Sequence, residues 1–197
     1  MFNFKDIIIS NNHTFYDYST GKQLCICRVQ LLKLLVAAAF AIVFSSIKTD
    51  FLTVVLSTYA ILAGFGFNIL FYLLNFERSV RGSSLEDELI AERVNKLAKE
   101  IFYNVAYFNL VAVTLIILCL TYYLIESVNS EILPLIVKLL ANARIIFSFT
   151  EGAAYISLAL KTIYNIAFYY ALIESLFTFA RITSRTFFLF KNVVSND

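Results

Sequence analysis

The stretch "IFYNVAYFNLVAVTLIILCLTYYLI", residues 101–125, carries no charged side chain along its whole length. A helix needs roughly 20 apolar residues to cross the hydrocarbon core of a bilayer, and this run supplies them without interruption. It is read as a transmembrane helix, and the rest of the chain follows from it. Of the 197 residues, 60% are hydrophobic and 15% charged, against about 45–50% and roughly 25% in a soluble domain.

Three further runs have the same character. They are 29–47, "VQLLKLLVAAAFAIVFSSI"; 51–76, after a tight "KTD" connection; and about 155–180. The predicted fold is an all-α integral membrane bundle of four transmembrane helices, occupying 29–197 behind a short N-terminal segment, 1–28. Residues 1–28 hold Asn11, Asn12, His13, Asp17 and Lys22 before any long apolar run. That is not the pattern of a cleaved signal peptide, and the first span is expected to stay as an anchor.

The piece between the third and fourth spans, "SEILPLIVKLLANARIIFSFTEG", is long enough to be a fifth span, but it places Lys138, Asn142 and Arg144 near its centre. Each central basic residue costs about 2.5–3.5 kcal/mol on insertion scales. An interfacial helix over about 132–148, starting near Pro134, is predicted instead, with a re-entrant course and a fifth span as alternatives. With four spans and a cytosolic N-terminus, all of the 16 Lys and Arg except Lys48, Lys138, Arg144 and Lys161 fall on the cytosolic side. The positive-inside rule therefore predicts a multi-pass protein with both termini in the cytosol. The chain has 20 Phe, 12 Tyr and no Trp; Tyr122 and Tyr123, near the outer end of the third span, suit interfacial anchors.

Two extramembrane pieces are predicted. β-prone runs separated by turn-like Asn11-Asn12 and Ser19-Thr20-Gly21 suggest a small β-hairpin at about 14–28. The loop 77–100 reads as a helix: Ser83 with Glu86 forms a capping box, acidic residues follow at its start, and Leu85, Leu89, Val94, Leu97 and Ile101 keep an apolar stripe. With no breaker before the third span, one helix over about 84–125 is expected to project into the cytosol. Leu85, Leu89, Val94 and Leu97 are the candidate contacts to an oligomer mate or a partner protein; resting on the chain's own bundle is the alternative.

Polar groups inside the spans are the candidate site. On the fourth helix, Ala167, Ala171, Glu174, Ser175 and Thr178 share one face at 100° per residue, while Phe168, Leu172, Leu176 and Phe179 lie largely opposite. Small residues let helices approach closely in lipid, so Glu174 is expected to point into protein. It lies seven residues before Arg181, or about 10 Å of helix. Lys33, Asn68, Asn104 and Asn109 fall at comparable depth from their own span ends, which makes one intramembrane polar layer. Lys33 with Glu174 is the pair expected first, since ionisable groups in a membrane pair with one another.

Three uses compete: glue between helices, transport of a proton or ion through Glu174, and a switch that holds a closed oligomer. The "AGFG" at 63–66 could loosen the second span, and packing through Ala60 and Gly64 is the plainer role.

No P-loop, GxSxG or HExxH occurs, so no enzyme and no cofactor are predicted. Cys25 and Cys27 form a lone CxC and His13 is the only histidine, which does not complete a four-ligand zinc site. Formal net charge is +2 with mixed signs, lacking the basic footprint of a direct nucleic-acid binder.

In size, in its four spans at 29–47, 51–76, 101–125 and 155–180, and in its small pieces at 1–28 and 77–100, the chain resembles the small four-span membrane subunits of bacterial anti-phage defence systems. The membrane subunit of the Kiwa system is the most similar. The resemblance is one of topology and transfers no functional residue. It implies a homo-oligomeric inner-membrane sensor or scaffold that works with a cytosolic effector protein.

Overall fold

The computed structural model describes residues 4–16, 25–44, 46–82, 88–141 and 150–194, with side-chain surroundings for 4–16, 25–44, 46–75, 94–125 and 158–188. The described residues form five helices: α1 (Phe4–His13), α2 (Ile26–Val43), α3 (Thr49–Gly82), α4 (Glu88–Ala141) and α5 (Thr150–Val194). Among the described residues there is no strand. Among the described residues, four of these helices contain segments long and apolar enough to cross a membrane, Ile26–Val43, Thr49–Asn75, Val94–Ile125 and Leu158–Phe188. The chain is a multi-pass membrane protein.

Side-chain spacing explains the packing. On α4 the buried positions include Val94, Ala98, Ile101, Val105, Phe108, Ala112, Leu115 and Cys119, an unbroken alternation of four- and three-residue steps. On α5 the series Phe168, Ala171, Ser175, Thr178, Ile182 and Arg185 does the same. A period of 3.5 keeps one seam facing a neighbour along a shallow left-handed crossing. α4 and α5 pack on each other, α3 lies against α4, α2 against α5, and α1 rests on α4. The outward faces carry large apolar side chains, among them Leu31, Leu35, Ile42, Phe65, Phe71, Ile117 and Ile163, which suits lipid.

At the end of the bundle far from α1, tyrosines tie the short α2–α3 connection to α4. The Tyr122 hydroxyl donates to the Ile47 carbonyl at 3.1 Å and that of Tyr123 to the Thr49 carbonyl at 3.0 Å. The Ile47 carbonyl lies outside both helices and gains a partner in this way.

Several boundaries differ from expectation. The β-hairpin at 14–28 finds no support: residues 4–13 and 26–28 are helical, and 17–24 lie outside the described residues. Isolated hairpins are marginal, whereas "DIII" and "ICRVQLL" continue into helices that bury a face against the bundle. The interfacial helix at 132–148 is not a separate element over its first part, because α4 runs through Pro134 to Ala141. No glycine lies between Ile125 and Pro134 to end the helix earlier, and a helical proline removes one hydrogen bond without forcing a stop. Residues 142–149 lie outside the described set, as do Ser83 and Leu85. α4 begins at Glu88 and is continuous with the third span, so a helix covers 88–125 of the expected 84–125 and runs further, while its projection into the cytosol finds no support.

Candidate functional site

Lys33 on α2 and Glu174 on α5 meet as a buried ion pair, Nζ to Oε2. Lys33 is 5% exposed and Glu174 2%. Removing two charges from water costs several kcal/mol each, and the pair persists only when its surroundings supply further partners. Aromatic rings provide them here. Lys33 Nζ lies 4.7 Å from the Phe177 ring centroid and 5.6 Å from that of Phe15, within cation–π range. Tyr107 of α4 and Tyr170 of α5 stand close enough to Glu174 to interact with its charge. The Tyr170 hydroxyl also donates to Gln30 Oε1 at 2.6 Å.

Below the pair, the end of α1 turns into the bundle. Thr14 and Phe15 donate their amides to the Asn11 and Asn12 carbonyls, both at 3.1 Å, closing the helix. Phe15 is then carried inward, 3% exposed, and stacks on Phe177 with centroids 6.0 Å apart and an interplanar angle of 15°. The Arg181 guanidinium covers the same Phe15 ring at 3.8 Å. Polar bonds lock the segment. Arg181 Nη2 donates to Thr14 Oγ1, to Asn104 Oδ1 at 2.9 Å and to the Asn11 carbonyl at 3.4 Å. Thr14 Oγ1 donates to Asn104 Oδ1 at 3.0 Å, and Arg185 Nη2 donates to the Thr14 carbonyl. The Tyr16 hydroxyl lies 2.7 Å from both oxygens of Glu100. Residues 14–16 thus plug the mouth between α4 and α5, with Lys33 and Glu174 behind the plug.

The other sequence candidates divide. Asn104 joins the plug contacts. Asn109 is buried against α3: a Cβ on Gly66 would lie 2.1 Å from its Oδ1, and its amide has no hydrogen-bond partner among the described residues. Asn68 does not join the layer; its side chain is exposed. The buried line of α3 runs through Tyr59, Ala63, Gly66 and Leu73, and Asn68, two residues from Gly66, turns about 200° away. Val94 is 8% exposed and Leu97 half-buried within the chain itself, while the Leu89 side chain lies outside the described set. On α5, Phe168 is fully buried and Ala167 exposed, the reverse of the expected face, because the 3.5-residue seam is centred slightly round from the small-residue arc. Ala171, Glu174, Ser175 and Thr178 are buried on it as expected.

Sequence reasoning did not single out Thr14, Phe15, Tyr16 or Arg185, and it used Arg181 only as a boundary marker. The Tyr59–Ser175 hydroxyl contact between α3 and α5 was equally unmarked. A signal existed for Arg185: it continues the seven-residue seam of α5, where a charge needs a partner.

Among the described residues no three His, Cys, Asp or Glu side chains converge on a metal-sized site. The chemistry on offer is that of a paired carboxylate and ammonium, capped by aromatic rings and hydroxyls. Comparison with protein-family models, curated proteins and solved structures finds no match.

Proposed function

We propose that this chain is a non-enzymatic, homo-oligomeric sensor or scaffold subunit of the inner membrane, with both termini in the cytosol, which couples a membrane event to a cytosolic partner protein. Phage attack is the event we assign, on the topological resemblance to the membrane subunits of anti-phage defence systems. The observation that carries the coupling is the plug. Phe15 touches Phe177 and lies within reach of Lys33, so withdrawing residues 14–16 strips cover from the buried ion pair that joins α2 to α5. A bistable contact of this kind converts a pull on a terminal segment into a rearrangement of spans.

The homo-oligomer has its own support. Ala60, Gly64 and Asn68 line up at four-residue spacing on the exposed side of α3, and nothing lies within 4 Å of a Cβ built on Gly64. Small residues allow close helix approach in lipid, and an asparagine there gains from a hydrogen bond across an interface.

The competing reading is a small proton- or ion-coupled transporter. It requires Glu174 to be available, and an ammonium already neutralises it, which favours the switch. Flux in proteoliposomes separates the two. Sensor function predicts no proton or potassium flux above empty vesicles, with Glu174→Gln indistinguishable from wild type. A flux abolished by Glu174→Gln overturns the proposal. Phage plaque counts on cells carrying the chain and its neighbouring gene test the defence assignment; equal counts with and without the chain refute it.

A further inference from the structure

We propose that the seam between α4 and α5 binds ordered water from Arg181 inward to Glu174, so that the buried carboxylate meets solvent from the plug side alone. Three side chains carry the inference. Asn11 is 1% exposed, and Asn104 and Thr178 are fully enclosed. Neither amide atom of Asn11, nor Asn104 Nδ2, nor Thr178 Oγ1 has a hydrogen-bond partner among the described residues. Buried polar atoms are paired with protein or with ordered water. Their orientation is set by what surrounds them. A guanidinium can only donate, so the bond from Arg181 to Asn104 Oδ1 at 2.9 Å turns the oxygen of that amide toward Arg181 and leaves the Nδ2 donor on the other arm. Thr178 differs from other threonines of the spans. Thr114, Thr121, Thr162, Thr183 and Thr186 each donate to the carbonyl four residues back, the local bond open to a helical threonine. Thr178 forgoes it.

These groups follow one another along the seam. Arg181 Nη2 reaches the Asn11 carbonyl at 3.4 Å as well as Asn104, which brings the two asparagines to a single guanidinium. Thr178 lies three residues before Arg181 and four after Glu174, one helical turn from each. On α4, Asn104 meets Arg181, and Tyr107, one turn on, stands beside Glu174. A bound water needs about two to four polar partners, and neighbouring members of this series supply them. An inlet adjoins it. Thr14, Tyr16, Phe177, Arg181, Ser184 and Arg185 help to line a cavity of about 140 Å³, room for several waters at about 30 Å³ each. Arg181 belongs to both places, so one side chain separates the cavity from the Asn104 amide. Beyond Glu174 the seam turns apolar, with Ala171 and Phe168 on α5, Ala112 and Leu115 on α4, and Ala37 and Ala41 on α2. Water entering beside the plug therefore ends at the ion pair.

The test uses the full chain in nanodiscs. A structure at about 2 Å resolution should show ordered water within about 3.2 Å of Asn104 Nδ2 and of Thr178 Oγ1. Thr178→Val keeps the shape of the side chain and removes the hydroxyl. If water is bound, the variant takes away one of its ligands and the thermal midpoint falls, by about 2–4 °C. If the seam is dry, the same change relieves an unpaired buried hydroxyl and the midpoint rises. Water-edited solid-state NMR on asparagine-labelled protein gives a readout apart from stability: magnetisation should pass from water to the Asn104 side-chain amide, and more slowly in Thr178→Val, with circular dichroism verifying the fold. A midpoint that rises or stays unchanged in Thr178→Val overturns the proposal. So does a structure in which Asn104 Nδ2 and Thr178 Oγ1 bond directly to protein with no water between them.

Discussion

Lys33 and Glu174, 141 positions apart in the sequence, form a salt bridge between α2 and α5 with both side chains almost wholly enclosed. Lys33→Met alone leaves a carboxylate buried without its counter-ion. We expect a loss of about 3–5 kcal/mol of stability, and substantial recovery when Glu174→Met is added. Unfolding in mixed detergent followed by circular dichroism reads both. If the double variant is as unstable as the single, the pair does not hold the two helices together as described.

Arg185 bears on the plug rather than on the pair. Its bond to the Thr14 carbonyl is charge-assisted, and such bonds contribute about 1.5–3 kcal/mol. Arg185→Gln should therefore raise amide exchange at residues 11–16 by roughly tenfold or more, with the spans unaffected. Hydrogen exchange with mass spectrometry resolves this segment from the rest. Uniformly faster exchange would indicate global destabilisation instead.

Gly64 and Gly66 should respond oppositely. A methyl at Gly66 collides with Asn109 Oδ1 at 2.1 Å and its Cγ at 2.9 Å; overpacking of this kind costs about 1–3 kcal/mol. Gly66→Ala should destabilise the fold, and Asn109→Ala should rescue it. Gly64→Leu has open space within the subunit, so stability should hold while oligomerisation falls. Asn68→Leu should weaken self-association by about 1 kcal/mol, read by mass photometry or crosslinking in nanodiscs. Unchanged self-association in both variants excludes this face of α3 as the seam.

At the opposite end, Tyr122→Phe removes only the hydroxyl that reaches the Ile47 carbonyl. A loss of about 0.5–1.5 kcal/mol is expected, confined to the α2–α3 connection in hydrogen exchange.

Much of this fold was legible because lipid imposes few solutions. An uncharged run such as 101–125 must be helical to satisfy its backbone, and counting residues from a charged boundary gives depth. Depth brought Lys33 to the level of Glu174. It could not give azimuth: Asn68 shares that depth and points outward, because one helical turn of phase decides which face a side chain joins. Phe168 and Ala167 exchanged places for the same reason. The plug was illegible for a different cause. Nothing local in "HTFY" separates a buried tail from a solvated turn; only the guanidiniums of Arg181 and Arg185, some 170 positions away, give Thr14 and Phe15 somewhere to go. The α4 heptad seam could have been counted, and it would have assigned Val94 to the chain's own core.

The length of α4 has a mechanical consequence. Its 54 residues make a rod of about 80 Å at 1.5 Å per residue, while the hydrocarbon core takes up only about 30 Å. A rod does not shorten, so a force applied to α4 between Ile125 and Pro134 would reach the Tyr16–Glu100 contact as a slide or a roll of that part of the helix. Rolling by a fraction of a turn would carry Asn104 and Glu100 away from the residues they hold, and the far side of the membrane would then be read at the N-terminus as torque.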